Sequence, residues 1–275
     1  MQKKHGASIG VFDSGFGGID ILRRLVEELP EYDYLYLGDT ARAPYGDCSP
    51  EAVYEFTTQV VDFLYGNGCD LVILACNTVS SDALQRIQEK YMPERYPDRK
   101  ILGVLIPTAE ESVRMTVNKR IGVIATEGTV RSGAFVREIA KLDSEAEIFQ
   151  RACPLLVPLV EMGEHDTMAA RVFLEGYLDP IKREGVDTLI LGCTHYGIFE
   201  DVIRQIVGPN TYIVSGAAIV PKKLKRYLDR HPEIDEKLGR CGTVRFCSTD
   251  LTDRFETLGG VFFGKDILVE RVSIG

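Results

Sequence analysis

The chain has 275 residues, 45% of them hydrophobic and 27% charged, a balance typical of a globular protein with a buried core. Its formal net charge of −9 disfavours a surface for nucleic acid or for anionic membranes. No apolar run approaches the roughly 18 residues needed to span a bilayer. The opening segment MQKKHGASIG lacks the apolar region of a signal peptide, and the seven cysteines are an odd number. We therefore expect a cytoplasmic protein with reduced thiols.

Apolar runs alternate with amphipathic stretches along the chain. Strands are expected near residues 7–12, 33–37, 70–75, 101–105, 120–125, 187–192, 211–214 and 244–247. Helices are expected near residues 17–29, 50–66, 79–91, 108–118, 131–141, 167–184, 198–206, 218–229 and 251–258. This alternation predicts an α/β fold with mostly parallel sheets flanked by helices. In that architecture, ligands lie beyond the carboxyl ends of the strands.

The predicted helix at 50–66 has the clearest boundaries. Ser49 is a favourable N-cap residue, Pro50 is a favourable first residue, and Gly66 is suited to the end of a helix. Its apolar face is formed by Val53, Phe56, Val60 and Leu64. The stretch 91–100 contains two prolines and mixed charge, and is the best candidate for a domain boundary.

Two short stretches of the chain are copies of each other. Residues 68–78 read GCDLVILACNT, and residues 185–195 read GVDTLILGCTH. The copies align Cys76 with Cys193 at the end of an apolar run of strand length. They also match in Gly68 with Gly185, Asp70 with Asp187, Ile73 with Ile190 and Leu74 with Leu191.

The repeat extends upstream of the cysteines. Residues 9–15, IGVFDSG, parallel residues 121–127, IGVIATE, and both are apolar runs that end in a polar turn. Only two copies are present, so the pattern predicts two related α/β halves rather than a solenoid. The alternative is that buried parallel strands resemble each other by convergence on valine, isoleucine and leucine.

The two cysteines suggest a specific chemistry. Thiols on opposite sides of one carbon are what a racemase needs to exchange a proton between two faces. We expect Cys76 and Cys193 to lie just before helix N-termini, where free N–H groups and the helix dipole stabilise a thiolate. The same N–H groups can hold a substrate carboxylate. His195 can exchange protons with a nearby thiol, and uncharged hydrogen-bonding groups are added by Asn77, Thr78 and Thr194.

Other interpretations of these residues are weaker. Both cysteines can be inert packing residues. A zinc site lacks a C-x-x-C pair, and a Cys–His hydrolase does not explain the second cysteine. The turn FDSGFGGID fails the dinucleotide pattern because Asp20 stands where a glycine is required. Asp13 is either a helix cap or a group that points with Ser14 into the crevice.

Six short motifs carry a resemblance to a known family. DSGFGG, GDTARAPYG, ACNTVSSDAL, TEGTVRS, ACPLLVPLVEMGE and LGCTHY occur in the order seen in glutamate racemases, which are amino-acid racemases independent of pyridoxal phosphate. The match runs from Ile9 to about Gly216. The resemblance implies two domains of like fold, related by a pseudo-two-fold axis, with the site between them. It assigns residues 1–98 and 212–275 to the first domain and 99–211 to the second, and implies a homodimer.

The resemblance also implies roles for single residues. Cys76 and Cys193 look like the two catalytic acid/bases, assisted by Asp13, Glu161 and His195. The residues that it assigns to substrate binding are Asp13, Ser14, Pro44, Tyr45, Gly46, Asn77, Thr78, Thr126, Thr129, Thr194 and His195. The implied reaction converts L-glutamate to D-glutamate for peptidoglycan, with no metal or other cofactor.

Some alternatives stay open at this point. A relative that acts on aspartate or other acidic amino acids has the same family features. A small-molecule binding protein can use the crevice without turnover, although it has no need of two thiols. The chain departs from the family pattern at Thr108, which follows GVLIP, and at residues 214–216. Neither departure touches a predicted catalytic position.

Overall fold

The computed structural model describes residues 6–274, and the side chains of all of these except 253 and 254. The prediction about a signal peptide refers partly to residues 1–5, which lie outside the described residues. The strands are β1 (Ser8–Asp13), β2 (Tyr34–Gly38), β3 (Cys69–Leu74), β4 (Lys100–Gly103), β5 (Arg120–Ala125), β6 (Glu147–Ala152), β7 (Thr188–Gly192), β8 (Tyr212–Ser215), β9 (Val244–Ser248) and β10 (Val269–Arg271).

Helices connect most of these strands. They are α1 (Ile19–Glu28), α2 (Pro50–Gly66), α3 (Asn77–Asp82), α4 (Leu84–Arg86), α5 (Met92–Arg95), α6 (Leu105–Met115), α7 (Glu127–Ser132), α8 (Ala134–Leu142), α9 (Leu156–Glu161), α10 (Met168–Arg183), α11 (Glu200–Val207), α12 (Gly216–Arg230), α13 (Pro232–Asp235) and α14 (Asp253–Phe263). Short 3₁₀ turns span Thr40–Arg42, Tyr45–Asp47 and Thr194–Phe199, and a π-helical turn spans Ile87–Tyr91.

The strands form two sheets whose pairs are parallel. The six-stranded sheet has the order β10-β9-β2-β1-β3-β4, and the four-stranded sheet has the order β6-β5-β7-β8. The central strands are buried along almost their whole length, which explains their continuous apolar sequences. The predicted α/β class, with two mostly parallel sheets flanked by helices, is confirmed.

The sheet order also reproduces the internal repeat. The run β2-β1-β3-β4 in the first sheet corresponds strand for strand to β6-β5-β7-β8 in the second. Cys76 follows β3, and Cys193 follows the equivalent strand β7. The matched Gly68 and Gly185 both have a positive φ, of 83° and 66°. Convergence of buried strands on similar residues does not account for a shared strand order and shared turn geometry.

Sheet membership divides the chain slightly differently from the expected domain limits. The strand β4 pairs with β3 in the first sheet, although it lies beyond residue 98. The strand β8 pairs with β7 in the second sheet, although it lies beyond residue 211. The strands β9 and β10, which follow β8 in the chain, belong to the first sheet.

Several predicted elements differ in detail from the structure. Helix α2 has its predicted bounds, and the Ser49 side chain accepts a hydrogen bond from Ala52 N at 3.2 Å. The helix expected at 79–91 begins at Asn77 and is broken by the π-helical turn. Strands β6 and β10 and helices α5, α9 and α13 were not predicted, and the helix expected at 131–141 includes only the last two residues of α7. Strand β6 has no buried residue, so no apolar run marks it.

Among residues 6–274, no helix is long and apolar enough to cross a membrane.

Candidate active site

A cavity lies at the carboxyl ends of the central strands of both sheets. It encloses about 720 Å³, including the solvent at its mouth. Most of the predicted site residues line it together: Ser14, Pro44, Tyr45, Gly46, Cys76, Asn77, Thr78, Thr126, Glu161, Cys193, Thr194 and His195. Asp13 and Thr129 are fully buried and lie behind this lining. The structure therefore places the predicted site residues close together, most of them in the cavity lining and the other two buried behind it.

Cys76 occupies the N-cap position of α3, directly after β3. Its Sγ lies 3.6 Å from Ser14 Oγ. Burial, with a smaller contribution from the nearby charge of Asp13, raises the pKa of the thiol to about 12. The N–H of Val79 and the hydroxyl of Ser14 act in the opposite direction, but their effect is smaller.

Cys193 occupies the equivalent position after β7, before the 3₁₀ turn Thr194–Phe199. Its Sγ lies 3.8 Å from His195 Nδ1. Burial raises the pKa of this thiol well above its ordinary value, and the charge of Cys76 adds to the effect. The backbone N–H of His195 lowers the pKa without offsetting burial.

The N–H groups that we expected to stabilise a thiolate are present at both cysteines, but burial has the larger effect on the pKa of each. Cys76 does precede a helix and Cys193 precedes a 3₁₀ turn, and backbone N–H groups favour the charged form of both. The two sulfurs are nevertheless shielded from water by both domains, and the loss of hydration outweighs one or two N–H groups. Burial therefore raises the pKa of both thiols and favours their protonated forms when no substrate is bound.

Asp13 links the first domain to the turn after Cys193. Its Oδ2 accepts a hydrogen bond from Gly15 N at 3.2 Å, and Thr194 Oγ1 lies 3.3 and 3.5 Å from the two carboxylate oxygens. Burial raises the pKa of Asp13 to about 6, opposed by the N–H groups of Gly15 and Gly18 and by Thr194. Asp13 therefore caps the glycine-rich turn from behind the cavity lining, and it reaches the cavity through its contact with Thr194.

His195 is neutral at pH 7 because burial lowers its pKa to about 4. The ring packs edge-on against Phe16, with centroids 5.1 Å apart. Its Nε2 lies 3.6 Å from Glu161 Oε1 and makes no hydrogen bond within residues 6–274. The pair is therefore not a charged salt bridge at pH 7. His195 presents Nδ1 to Cys193 and Nε2 to the carboxylate of Glu161.

Three threonine hydroxyls join the two domains beside the cavity. Thr78 Oγ1 lies 3.1 Å from Thr126 Oγ1 and 3.4 Å from Thr129 Oγ1. Thr126 also caps α7, because its side chain accepts a hydrogen bond from Thr129 N at 3.3 Å. These hydroxyls supply uncharged donors where the domains meet.

Tyr45 contributes its ring and backbone to the cavity wall. Its hydroxyl donates to the carboxylate of Asp39, which is fully buried. The ring packs between Phe12 and Phe56, with centroid distances of 6.1 and 5.5 Å. The hydroxyl is therefore committed to Asp39, and the loop that carries Pro44 and Gly46 is held from behind.

Sequence reasoning missed one notable residue of the lining. Cys153 is a third buried thiol beside the cavity, and burial raises its pKa to about 12. It stands in the motif ACPLLVPLVEMGE, but no copy of it marks the other half of the chain. Among the described residues that line the cavity, none is a lysine or arginine.

The fold and the cavity define a two-domain α/β enzyme in which both domains contribute thiols to one cavity. The profile of the Asp/Glu/hydantoin racemase family matches residues 9–222. The glutamate racemase of Persephonella marina is 39% identical over 267 residues, which cover 97% of each chain.

Solved structures agree with this match. A glutamate racemase isoform of Bacillus anthracis superposes with a TM-score of 0.89 at 32% identity, over 98% of each chain. The glutamate racemase of Francisella tularensis, solved in complex with D-glutamate, superposes with a TM-score of 0.87 at 30% identity, also over 98% of each chain. The chain belongs to the Asp/Glu/hydantoin racemase family and is an isomerase of the racemase type, which confirms the resemblance.

Proposed function

We propose that the protein interconverts L- and D-glutamate by proton transfer between Cys76 and Cys193. The observation that carries this proposal is the placement of two buried thiols, at the ends of equivalent strands, in the lining of one cavity. The choice of glutamate is supported by the relatives named above, which are glutamate racemases, one of them bound to D-glutamate.

The proposed reaction needs one thiolate and one thiol at its start. The thiolate removes the α-proton and becomes a thiol, while the opposite thiol gives its proton to the other face and becomes the thiolate. His195 Nδ1 lies 3.8 Å from Cys193 Sγ and is placed to exchange a proton with that thiol. On the other side, the negative charge of Asp13 raises the pKa of Cys76 and thereby favours its protonated form. The two thiols titrate as a pair because each charge acts on the other.

The carbanion that forms at the α-carbon needs fixed donors and the exclusion of water. The cavity lining includes three residues with uncharged hydrogen-bonding side chains. Of these, Asn77 and Thr78 are buried, and Thr194 is partly buried. Buried, preoriented dipoles stabilise developing charge more than water does, because they need not reorganise during the reaction. The positioning of both thiols by rigid strands adds to the rate by proximity.

The remaining parts of the proposal rest on the sequence resemblance alone. We propose that the reaction needs neither pyridoxal phosphate nor a metal ion, and that D-glutamate is consumed in peptidoglycan synthesis. We also propose that the protein works in the cytoplasm as a homodimer. Full activity of extensively dialysed, chelator-treated protein supports the first point, and restoration of activity by added cofactor contradicts it.

A circular-dichroism assay that follows the conversion of one enantiomer into the other tests the reaction with L-glutamate and with L-aspartate. Cys76→Ala and Cys193→Ala should each lower kcat on glutamate by about 10³-fold or more, since removal of a positioned acid/base costs about 10²–10⁴-fold. Cys69→Ala is the matched control, because Cys69 is a buried thiol with a pKa of about 12 at the far end of the same strand β3. It should retain activity.

The outcomes separate the alternatives. Turnover of aspartate in preference to glutamate would assign another substrate, and no turnover of either would favour a binding protein. Near wild-type activity in either single cysteine variant would contradict the two-thiol mechanism. In deuterium oxide, early D-glutamate should carry deuterium at the α-carbon, because the donating thiol exchanges with solvent between turnovers.

A further inference from the structure

At one point beside the cavity, the two domains meet so closely through their backbones that no side chain fits between them. Gly46, in the 3₁₀ turn Tyr45–Asp47 of the first domain, faces Gly128 in the first turn of α7. Both glycines are buried. A Cβ atom at Gly128 would lie 2.8 Å from the carbonyl oxygen of Gly46, and a Cβ atom at Gly46 would lie 2.9 Å from Thr126 Cβ. Neither position has room for any residue larger than glycine.

The first-domain side of this contact cannot easily give way. The obstacle to a side chain at Gly128 is a backbone carbonyl, not the end of a flexible side chain. The neighbouring Tyr45 is held by its hydrogen bond to Asp39. That carboxylate also accepts from Arg42 Nε at 2.6 Å and from Thr249 Oγ1 at 2.8 Å. The turn is thereby tied to the body of the first domain.

The second-domain side is equally constrained. Helix α7 is capped by Thr126, whose side chain accepts from Thr129 N. Thr129 is fully buried, and its hydroxyl lies 3.4 Å from Thr78 Oγ1 of the first domain. Arg131 at the end of the same helix donates to the Cys48 carbonyl at 3.1 Å. A side chain at Gly128 would therefore be accommodated by separation of the domains rather than by a local shift.

We propose that Gly128 is a positioning residue that sets how closely the two domains approach over the cavity. An ordinary contact begins near 3.4 Å, so a Cβ atom at Gly128 requires a separation of about 0.6 Å (3.4 − 2.8) at this point. Each domain carries one of the two thiols. The inference for catalysis rests on the proposed two-thiol reaction, in which a misplacement of about 1 Å costs up to about 10²-fold in rate.

Gly128→Ala tests this inference in the full-length protein with two readouts. Racemisation of glutamate gives kcat and KM. Alkylation of Cys76 by iodoacetamide without substrate, followed by peptide mass spectrometry, reports the opening of the cleft. We expect kcat/KM to fall about 10- to 100-fold and the alkylation rate to rise on the order of tenfold, with an unchanged far-ultraviolet circular dichroism spectrum. The rise follows because Cys76 is only 6% exposed in the closed arrangement.

Gly176→Ala is the matched control. Gly176 lies in α10, and a Cβ atom there meets no atom within 4 Å. This variant should show wild-type values in both readouts. If Gly128→Ala does not fold, Gly46→Ala separates the domains from the opposite side and is assessed by the same two measurements.

Three results would overturn the inference. They are wild-type values of both readouts in the folded variant, a raised alkylation rate with unchanged kcat/KM, and a lowered kcat/KM with unchanged alkylation. Failure of the wild-type protein to racemise glutamate would instead reject the proposed function. The alkylation rates of wild type and Gly128→Ala would still decide, in that case, whether Gly128 controls the approach of the domains.

Discussion

The high pKa of Cys76 leads to a direct prediction about its reactivity. In the folded protein without substrate, the rate of alkylation should rise tenfold per pH unit from pH 7 to about pH 10.5, with no plateau. The reason is that only the thiolate reacts, and burial holds the pKa of Cys76 at about 12. A thiol that a helix N-terminus had already ionised would show a constant rate over this range.

The size of the effect follows from the shift in pKa. At pH 8, a thiol with a pKa of 12 is ionised to about 10⁻⁴, and one with the ordinary value of 9.0 to about 10⁻¹. Nucleophilicity rises by about 0.4–0.5 log unit per unit of pKa, taking the dependence known for thiol–disulfide exchange. Three units therefore return about 1.4 log units. Alkylation of folded Cys76 should be about 40-fold slower than that of an ordinary thiol, before any further reduction by steric shielding.

The assay is pulsed alkylation with iodoacetamide, quenched and read by mass spectrometry of the Cys76 peptide. The control is the same peptide in protein unfolded by urea, whose alkylation rate should level off about one pH unit above the ordinary thiol pKa, near pH 9.5–10. A plateau below about pH 9.5 in the folded protein would refute the reasoning, because it would mean that the N–H groups of α3 outweigh burial.

Further predictions concern stability. Burial lowers the pKa of His195 to about 4, so the unfolded chain takes up a proton at a higher pH than the folded protein does. Urea denaturation should therefore show that the wild type loses about 3 kcal/mol of unfolding free energy relative to His195→Gln between pH 6.5 and pH 4. Asp13→Asn should show the opposite difference between pH 6 and pH 4, since the pKa of Asp13 is raised to about 6. If stability depends on pH equally in the wild type and in one of these variants, the shifted pKa of the residue replaced in that variant is contradicted. Ser49→Ala should cost about 1 kcal/mol with kcat unchanged, because it removes the cap of α2; an unaltered midpoint would show that the cap contributes nothing. Gly185→Ala should also cost about 1 kcal/mol because of its positive φ, a claim that a stabilised variant would disprove.

The features that the sequence revealed share a physical basis. Strands β3 and β7 are buried on both faces, so they are continuous apolar runs that are easily recognised and compared. Their copied ends located Cys76 and Cys193 without any knowledge of the three-dimensional structure. The cap of α2 was equally visible, because Ser49 and Pro50 act through contacts within a few residues.

The features that the sequence did not reveal depend on contacts between distant segments. Strand β6 lies at a sheet edge and is only partly covered, so its residues show no apolar pattern. Glu161 at the end of α9 has the sequence character of a surface glutamate, and only the family resemblance singled it out. The pKa values of Cys76 and Cys193 depend on burial by both domains, which no local rule for helix N-termini includes.

The repeat makes the thiols equivalent but leaves their surroundings different. The alignment of the copies places Ala125 opposite Asp13, and Thr78 opposite His195. The two thiols therefore have different neighbours: Ser14 lies beside Cys76, and the imidazole of His195 lies beside Cys193. In the proposed reaction, the two directions of proton transfer can accordingly differ in kcat and in KM. The ratio kcat/KM must still be the same for L- and D-glutamate, because enantiomers have equal free energies in water and the equilibrium constant is one. Substitution of Asp13 or His195 can therefore change kcat unequally for L- and D-glutamate only if KM changes in the same proportion.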